Sequence, residues 1–126
     1  MRLTRLKVLY IAGMDGQDQI GIVTVLELAQ YINDNLSQFK QLMSERMLIL
    51  LPFINPNGFS SSKSFETNKS GKSFDVSHDF PFNTEECMNT SSARFLDQFF
   101  RDHLIVQTLV FKKGDPAIIY PWTHNK

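Results

Sequence analysis

The sequence lacks the features that would direct a chain to a disulfide framework, a polyanion or a membrane. Cys87 is the single cysteine among 126 residues, which excludes an internal disulfide and fits a reducing compartment. Basic and acidic residues balance at 13 each, which argues against nucleic acid or a charged membrane surface as the partner. No apolar run approaches the roughly 20 residues of a membrane-spanning helix.

The apolar stretch nearest the N-terminus is also too short for a secretory leader. Leu6 to Ala12 runs directly into the Gly-Met-Asp-Gly sequence that starts at Gly13, with no cleavage site of small residues. We therefore interpret it as a buried strand and favour a cytoplasmic location. The alternative is that the true N-terminus lies upstream of this sequence.

Strand and helix signals alternate along the chain. Apolar runs predict strands over Leu6 to Ala12, Met47 to Phe53 and Ile105 to Phe111, the second of them central in the sheet. Ile20 to Phe39 has the pattern of an amphipathic helix whose apolar face includes Val23 and Leu26, and a second helix follows the cap residue Thr90. This order predicts one α/β domain over residues 1–126, with a mostly parallel (mixed) sheet and flanking helices.

Three loops begin where the predicted strands end. They cover Gly13 to Gly21, Ile54 to Asp79 and Lys112 to Pro116. Right-handed connections place the carboxyl ends of parallel strands at one edge of the sheet, where ligands bind in open α/β folds. We therefore expect the functional site at this edge, with the long segment Asn55 to Asn83 as a loop.

Four motifs in these segments resemble those of the M14 zinc carboxypeptidases. They are Ala-Gly-Met-Asp-Gly-Gln-Asp-Gln-Ile-Gly from Ala12, Leu-Leu-Pro-Phe-Ile-Asn-Pro-Asn-Gly-Phe from Leu50, Phe-Asp-Val-Ser-His-Asp-Phe-Pro from Phe74, and Leu-Val-Phe-Lys-Lys-Gly from Leu109 with Tyr-Pro-Trp from Tyr120. They follow the family's order and span nearly the whole chain. The resemblance implies the N-terminal half of a zinc-carboxypeptidase-like sandwich, and it implies that the C-terminal half of the family domain is absent from this sequence.

The resemblance also implies a chemistry and the positions that would carry it. In the family, zinc is held by two histidines and a glutamate, activates water and polarises the scissile carbonyl of a peptide's C-terminal residue. The three metal positions fall on Asp15, Asp18 and Lys112. The asparagine and arginine that clamp the substrate carboxylate fall on Ser77 and His78. The family's oxyanion arginine should lie between Gly58 and Asp75, where the basic residues are lysines, and its general base would lie beyond Lys126.

These replacements predict a carboxypeptidase-like domain that is catalytically inactive and binds no zinc. Its expected role is that of a pseudoenzyme that binds a peptide or a protein C-terminus. One alternative is a zinc-dependent metallocarboxypeptidase with ligands and a second half from elsewhere. The other is a truncated remnant without function.

Two interpretations are compatible with the replaced residues at the metal and clamp positions. Lys112 brings a positive charge to the family's zinc position and would pair with Asp15 and Asp18; the alternative is that all three are exposed loop charges. Protonated His78 would attract a carboxylate without the arginine fork; the alternative is a solvent-facing loop histidine. The aromatic side chains of Phe95, Phe99, Phe100 and Phe111 are predicted to pack in the core.

Overall fold

The computed structural model describes residues 5–81 and 87–120, so Pro121 and Trp122 of the last motif lie outside the described residues. The main sheet and its helices are β1 (Leu6–Ile11), α1 (Gln19–Asp34), α2 (Leu36–Glu45), β2 (Arg46–Leu51), α4 (Ser91–Asp102) and β5 (Ile105–Val110). Between β2 and α4 lie α3 (Pro56–Ser60), β3 (Glu66–Thr67), β4 (Ser73–Phe74) and a 3₁₀ turn (Val76–His78). Among the described residues, no helix has the length and apolar character needed to cross a membrane.

Three parallel strands form the sheet in the order β2-β1-β5, which confirms the predicted α/β class. β1 is therefore the central strand of the described sheet, and the prediction that the run from Met47 is central is wrong. The run from Met47 contains no charged residue, whereas the run from Leu6 contains Lys7, so hydrophobicity alone indicated the wrong strand as central. The positions that distinguish β1 are Leu9 and Ile11, which are fully buried.

The predicted helix over Ile20 to Phe39 is two helices that meet at Asn35. Asn35 closes α1, because its side-chain amide donates to the carbonyl of Tyr31 at 2.8 Å, and α2 begins at the next residue. The buried face of α1 carries Ile22 and Val25, whereas Val23 and Leu26 are about half exposed, so the predicted apolar face is wrong at these two positions. The sequence of α1 has apolar residues on several sides of the helix, so its hydrophobic periodicity was compatible with more than one buried face.

The segment between β2 and α4 contributes directly to the core. Ile54 and Val76 are buried in one cluster with Leu9, Ile11 and Leu96. The expected long loop therefore contains short ordered elements that pack on the sheet, as the low exposure of those two side chains requires.

The aromatic prediction holds only in part. Phe99 packs against the core cluster and stacks on His103 with ring centroids 4.3 Å apart, but Phe95 and Phe100 are exposed. The buried face of α4 is narrower than the predicted one, because Leu96 is fully buried while the adjacent Phe95 is exposed.

Candidate functional site

The loops after the three parallel strands start side by side. The backbone amide of Ile54 donates to the carbonyl of Ala12 at 3.2 Å, and the amide of Phe111 donates to the carbonyl of Ile11 at 2.8 Å. The ladder hydrogen bonds thus continue past the strand ends and hold the first residues of the loops together. The predicted convergence at the carboxyl edge is confirmed.

Asn55 joins the first loop to the segment after β2. Its side chain is fully buried. The side-chain oxygen of Asn55 accepts from the amide of Gly58 at 2.7 Å. Its side-chain NH₂ donates to the backbone carbonyls of Met14 at 3.2 Å and Ser64 at 3.4 Å. An apolar side chain here would leave buried backbone groups without partners, which explains the structural need for this amide.

The same two segments approach so closely that they require glycine. A Cβ on Gly16 would lie 2.3 Å from the carbonyl carbon of Gly58 and 2.4 Å from the carbonyl oxygen of Lys63. The amide of Gly16 donates to the carbonyl of Ser64 at 3.2 Å. Backbone contacts therefore hold the loop that contains Asp15 and Asp18 against the segment after β2.

Asp15 and Asp18 both use their carboxylates within this loop. Asp15 is half-buried and accepts from the amide of Gln17 at 2.8 Å. Asp18 is 1% exposed. One of its oxygens accepts from the amide of Gly21 at 2.9 Å and caps α1, and the other accepts from the amide of Lys113 at 3.0 Å.

Lys112 does not form the ion pair suggested by its position. The side-chain ion pairs within residues 5–81 and 87–120 join Arg46 to Glu45, His78 to Asp75 and Arg101 to Asp97. The alternative was that all three residues are exposed loop charges. Lys112 is exposed as that alternative predicts, but Asp18 is buried, so the alternative is wrong for Asp18. The link between the two loops is a hydrogen bond from the backbone of Lys113, so it does not depend on the lysine charge.

Ser77 and His78 lie together on the 3₁₀ turn and are organised by Asp75. One oxygen of Asp75 accepts from the amide of Ser77 at 2.8 Å and from its hydroxyl at 2.7 Å. The other lies 3.0 Å from Nδ1 of His78, whose side chain is 84% exposed. Burial alone would raise the pKa of the Asp75 carboxyl, but the hydrogen bonds from Ser77 and His78 outweigh it and hold that pKa below its usual value.

Two buried carboxylates, those of Glu66 and Asp79, bind the start of α4. Glu66 is 1% exposed and accepts from the amides of Ser91 at 2.8 Å and Ser92 at 3.2 Å. Asp79 accepts from the amide of Thr90 at 2.6 Å and from its hydroxyl at 2.8 Å. Negative charge is favourable at a helix N-terminus, so these contacts attach the long segment to the helix. No local pattern marks Glu66 as a partner of α4, because it lies 25 residues before Ser91 in the chain.

With this geometry in place, comparison with known proteins identifies the family. A sequence model of the zinc carboxypeptidase family, peptidase M14, matches residues 2–126. The chain belongs to the zinc carboxypeptidase family. It is also similar to "Carboxypeptidase SOL1" of Arabidopsis thaliana, at 26% identity over 121 residues, which are 90% of this chain and 24% of that protein. The chain thus spans about a quarter of the length of that relative.

The three residues that the motif resemblance assigns to the metal, Asp15, Asp18 and Lys112, do not fit a zinc site of the family's kind. Zinc takes nitrogen, sulfur or oxygen donors with free lone pairs, and a lysine ammonium has none. Both oxygens of Asp18 already accept backbone N–H groups, which leaves Asp15 as the least committed carboxylate. Across residues 5–81 and 87–120, no three histidine, cysteine, aspartate or glutamate side chains lie close enough to share a metal ion.

Proposed function

We propose that this chain is a zinc-carboxypeptidase-like domain that does not hydrolyse peptides and instead binds the C-terminus of a peptide or protein. The observation that carries the proposal is the state of Asp18. Its carboxylate is buried and bonded to two backbone amides from different loops, so it serves the fold at the position where the family places a metal ligand. The exposed lysine at position 112 supplies no donor to replace it.

The proposed binding groups are Ser77 and His78, at the family's clamp positions. Asp75 engages Nδ1 of His78 and leaves the other ring nitrogen of this exposed side chain directed away from that contact. A protonated imidazole held by a carboxylate donates from that second nitrogen to an incoming carboxylate. It does so through one hydrogen bond, where an arginine fork makes two, so weak binding is expected.

Zinc stoichiometry tests the loss of the metal site. The chain is loaded with excess zinc, dialysed against a weak chelator, and assayed for bound zinc and for release of C-terminal residues from a peptide mixture. An active family member treated in parallel is the control. We expect the chain to retain no more zinc than a buffer blank and to release no amino acids. Retention of about one zinc per chain, lost on Asp15→Ala and accompanied by release, would favour a zinc-dependent carboxypeptidase.

Peptide binding tests the second half of the proposal. A peptide with a free C-terminus and its C-terminal amide are titrated into the chain while backbone amide shifts are followed by NMR. We expect the free-acid peptide to shift amide signals around the 3₁₀ turn. The C-terminal amide should bind the parent chain at least several-fold more weakly than the free acid, and His78→Ala should weaken binding of the free acid by a similar factor. The exposed Lys72→Ala variant is the matched control for removal of a positive charge.

The same spectra address the alternative of a remnant without function. A folded chain gives dispersed amide signals and one cooperative urea transition. Dispersed signals with no response to any C-terminal peptide would contradict the binding proposal. A gradual transition without dispersed signals would favour the remnant.

A further inference from the structure

A cavity of about 290 Å³ lies between the three-stranded sheet and the helices α1 and α2. Successive side chains of a strand point to opposite faces of the sheet. On β1, Leu9 and Ile11 belong to the core cluster and are 0% and 1% exposed. Val8 and Tyr10, on the other face, line the cavity and are only half-buried. The central strand is therefore closely packed on one face and borders an open space on the other.

The two helices cover this space without filling it. Phe39 and Met43 of α2 line the cavity, yet none of the ten residues of α2 is buried. Leu28 and Ile32 of α1 line it as well and are half-buried. Protein interiors are packed as densely as organic crystals and contain few voids larger than a water molecule. A space that holds on the order of ten water-sized groups has the size of a small ligand.

Two arginines give one end of the cavity a positive charge. Arg46 lines the cavity at the first position of β2. Its guanidinium lies 3.4 Å from the carboxylate of Glu45, and the two side chains are 44% and 61% exposed, so this surface ion pair is weak. The guanidinium of Arg5 donates to the carbonyl of Met43 at 2.9 Å, beside the same end. Two cations against one carboxylate leave a net positive charge there.

We propose that this cavity binds a medium-chain fatty acid, with the aliphatic chain inside and the carboxylate at Arg46. Octanoate has about ten non-hydrogen atoms, which matches the volume. A guanidinium donates two parallel hydrogen bonds to a carboxylate, and the largely apolar lining suits the chain. A peptide segment fits less well, because its backbone amides would lose water without gaining partners. The charged end lies at the amino ends of the strands, opposite the candidate functional site, so this inference does not rest on the proposed function.

Methyl NMR of the full chain tests the inference, at a chain concentration below that at which it associates. Octanoate is titrated in parallel with octan-1-ol, which has the same chain length without the charge, and with hexanoate. We expect octanoate to shift the methyl signals of Leu28, Ile32, Met43 and Leu48, all of which line the cavity. Octan-1-ol should bind at least several-fold more weakly. Hexanoate should bind more weakly by on the order of tenfold, since each buried methylene contributes about fourfold in affinity.

Arg46→Gln separates the charged end of the site from its apolar body. We expect this variant to bind octanoate several-fold more weakly and octan-1-ol as the parent does. Arg101→Gln is the matched control, because it removes an exposed arginine that pairs with an acidic side chain on α4. Absence of methyl shifts around the cavity, or shifts confined to β5, would overturn the inference. Equal affinities for octanoate and octan-1-ol, or unchanged octanoate binding in Arg46→Gln, would overturn it as well.

Discussion

At the residue scale, the buried carboxylate of Asp18 holds two loops of the candidate site together. We expect Asp18→Ala to lower the free energy of unfolding by about 1–3 kcal/mol, because α1 loses its cap and the Lys113 amide loses its partner. Asp15→Ala is the control and should cost less than about 1 kcal/mol, since within the described part of the chain the Asp15 carboxylate accepts one exposed hydrogen bond, from the amide of Gln17. Urea titration measures both. Equal losses would show that the two carboxylates are equivalent.

The carboxylate of Asp79 is expected to make the free energy of unfolding depend on pH in the acid range. Burial raises the pKa of its carboxyl, but hydrogen bonds from Asn89 and Thr90 outweigh burial and lower that pKa below the ordinary value of 3.8. The unfolded chain then binds protons more readily than the folded chain. The stabilisation by Asp79 is therefore present in full well above pH 3.8 and is lost as the pH falls through the lower, folded pKa.

Asp79→Asn tests this source directly. We expect the variant to be less stable at neutral pH and to show a shallower fall in free energy of unfolding between neutral pH and pH 3. Asp34→Asn, at an exposed helix end, is the control and should follow the parent curve. Parallel curves for parent and Asp79→Asn would assign the acid sensitivity elsewhere, with Asp75 as the next candidate because its pKa is lowered too.

At the element scale, the sequence predicted the three strands to within about two residues. The apolar runs at Leu6, Met47 and Ile105 are bounded by polar or glycine-rich stretches, so strand length was a local property. The break at Asn35 and the buried face of α1 were not local. The buried face depends on which side of the helix meets the sheet, which is decided by packing across the chain. The break coincides with the hydrogen bond from the Asn35 side chain to the carbonyl of Tyr31, which the apolar periodicity does not reveal.

The candidate site also has features that the sequence predicted and features that it did not. Its location followed from strand order, and the positions matched by the family motifs fall on its loops. The partners of those positions did not follow, because Asp18 bonds to a residue 95 positions away and Glu66 to one 25 positions away. A single sequence contains no signal for such pairs, since any of several polar side chains could fill the role.

Glu66 carries the prediction at this scale, because it couples the β3–β4 hairpin to α4. We expect Glu66→Ala to lower the free energy of unfolding by about 2–4 kcal/mol, since two amides at the helix start lose a buried charged acceptor. Hydrogen exchange should increase first at Ser91 and Ser92. Glu27→Ala, exposed on α1, is the matched control and should be near neutral. Unchanged exchange at the two serines would remove Glu66 from this role.

At the scale of the whole molecule, the described sheet leaves β5 exposed. β5 pairs with β1 on one side only among the described residues, and all but the first of its six side chains are exposed. Its sequence, Ile-Val-Gln-Thr-Leu-Val, contains no charge, no proline and no glycine. Edge strands of soluble proteins are normally protected by lysine, proline or a covering element, and an unprotected apolar edge pairs readily with other chains. The balanced net charge provides no compensating repulsion.

We therefore expect the isolated 126-residue chain to associate as its concentration rises, and this association should be sensitive to charge on β5. Val106→Lys and Thr108→Lys each place a lysine on the exposed strand and should shift the distribution towards monomer in sedimentation velocity. Val23→Lys, on the exposed side of α1, adds the same charge away from the edge and is the control. If all three lysines reduce association equally, net charge is responsible. If only the β5 variants do so, the open edge is the surface through which the chain meets its neighbours.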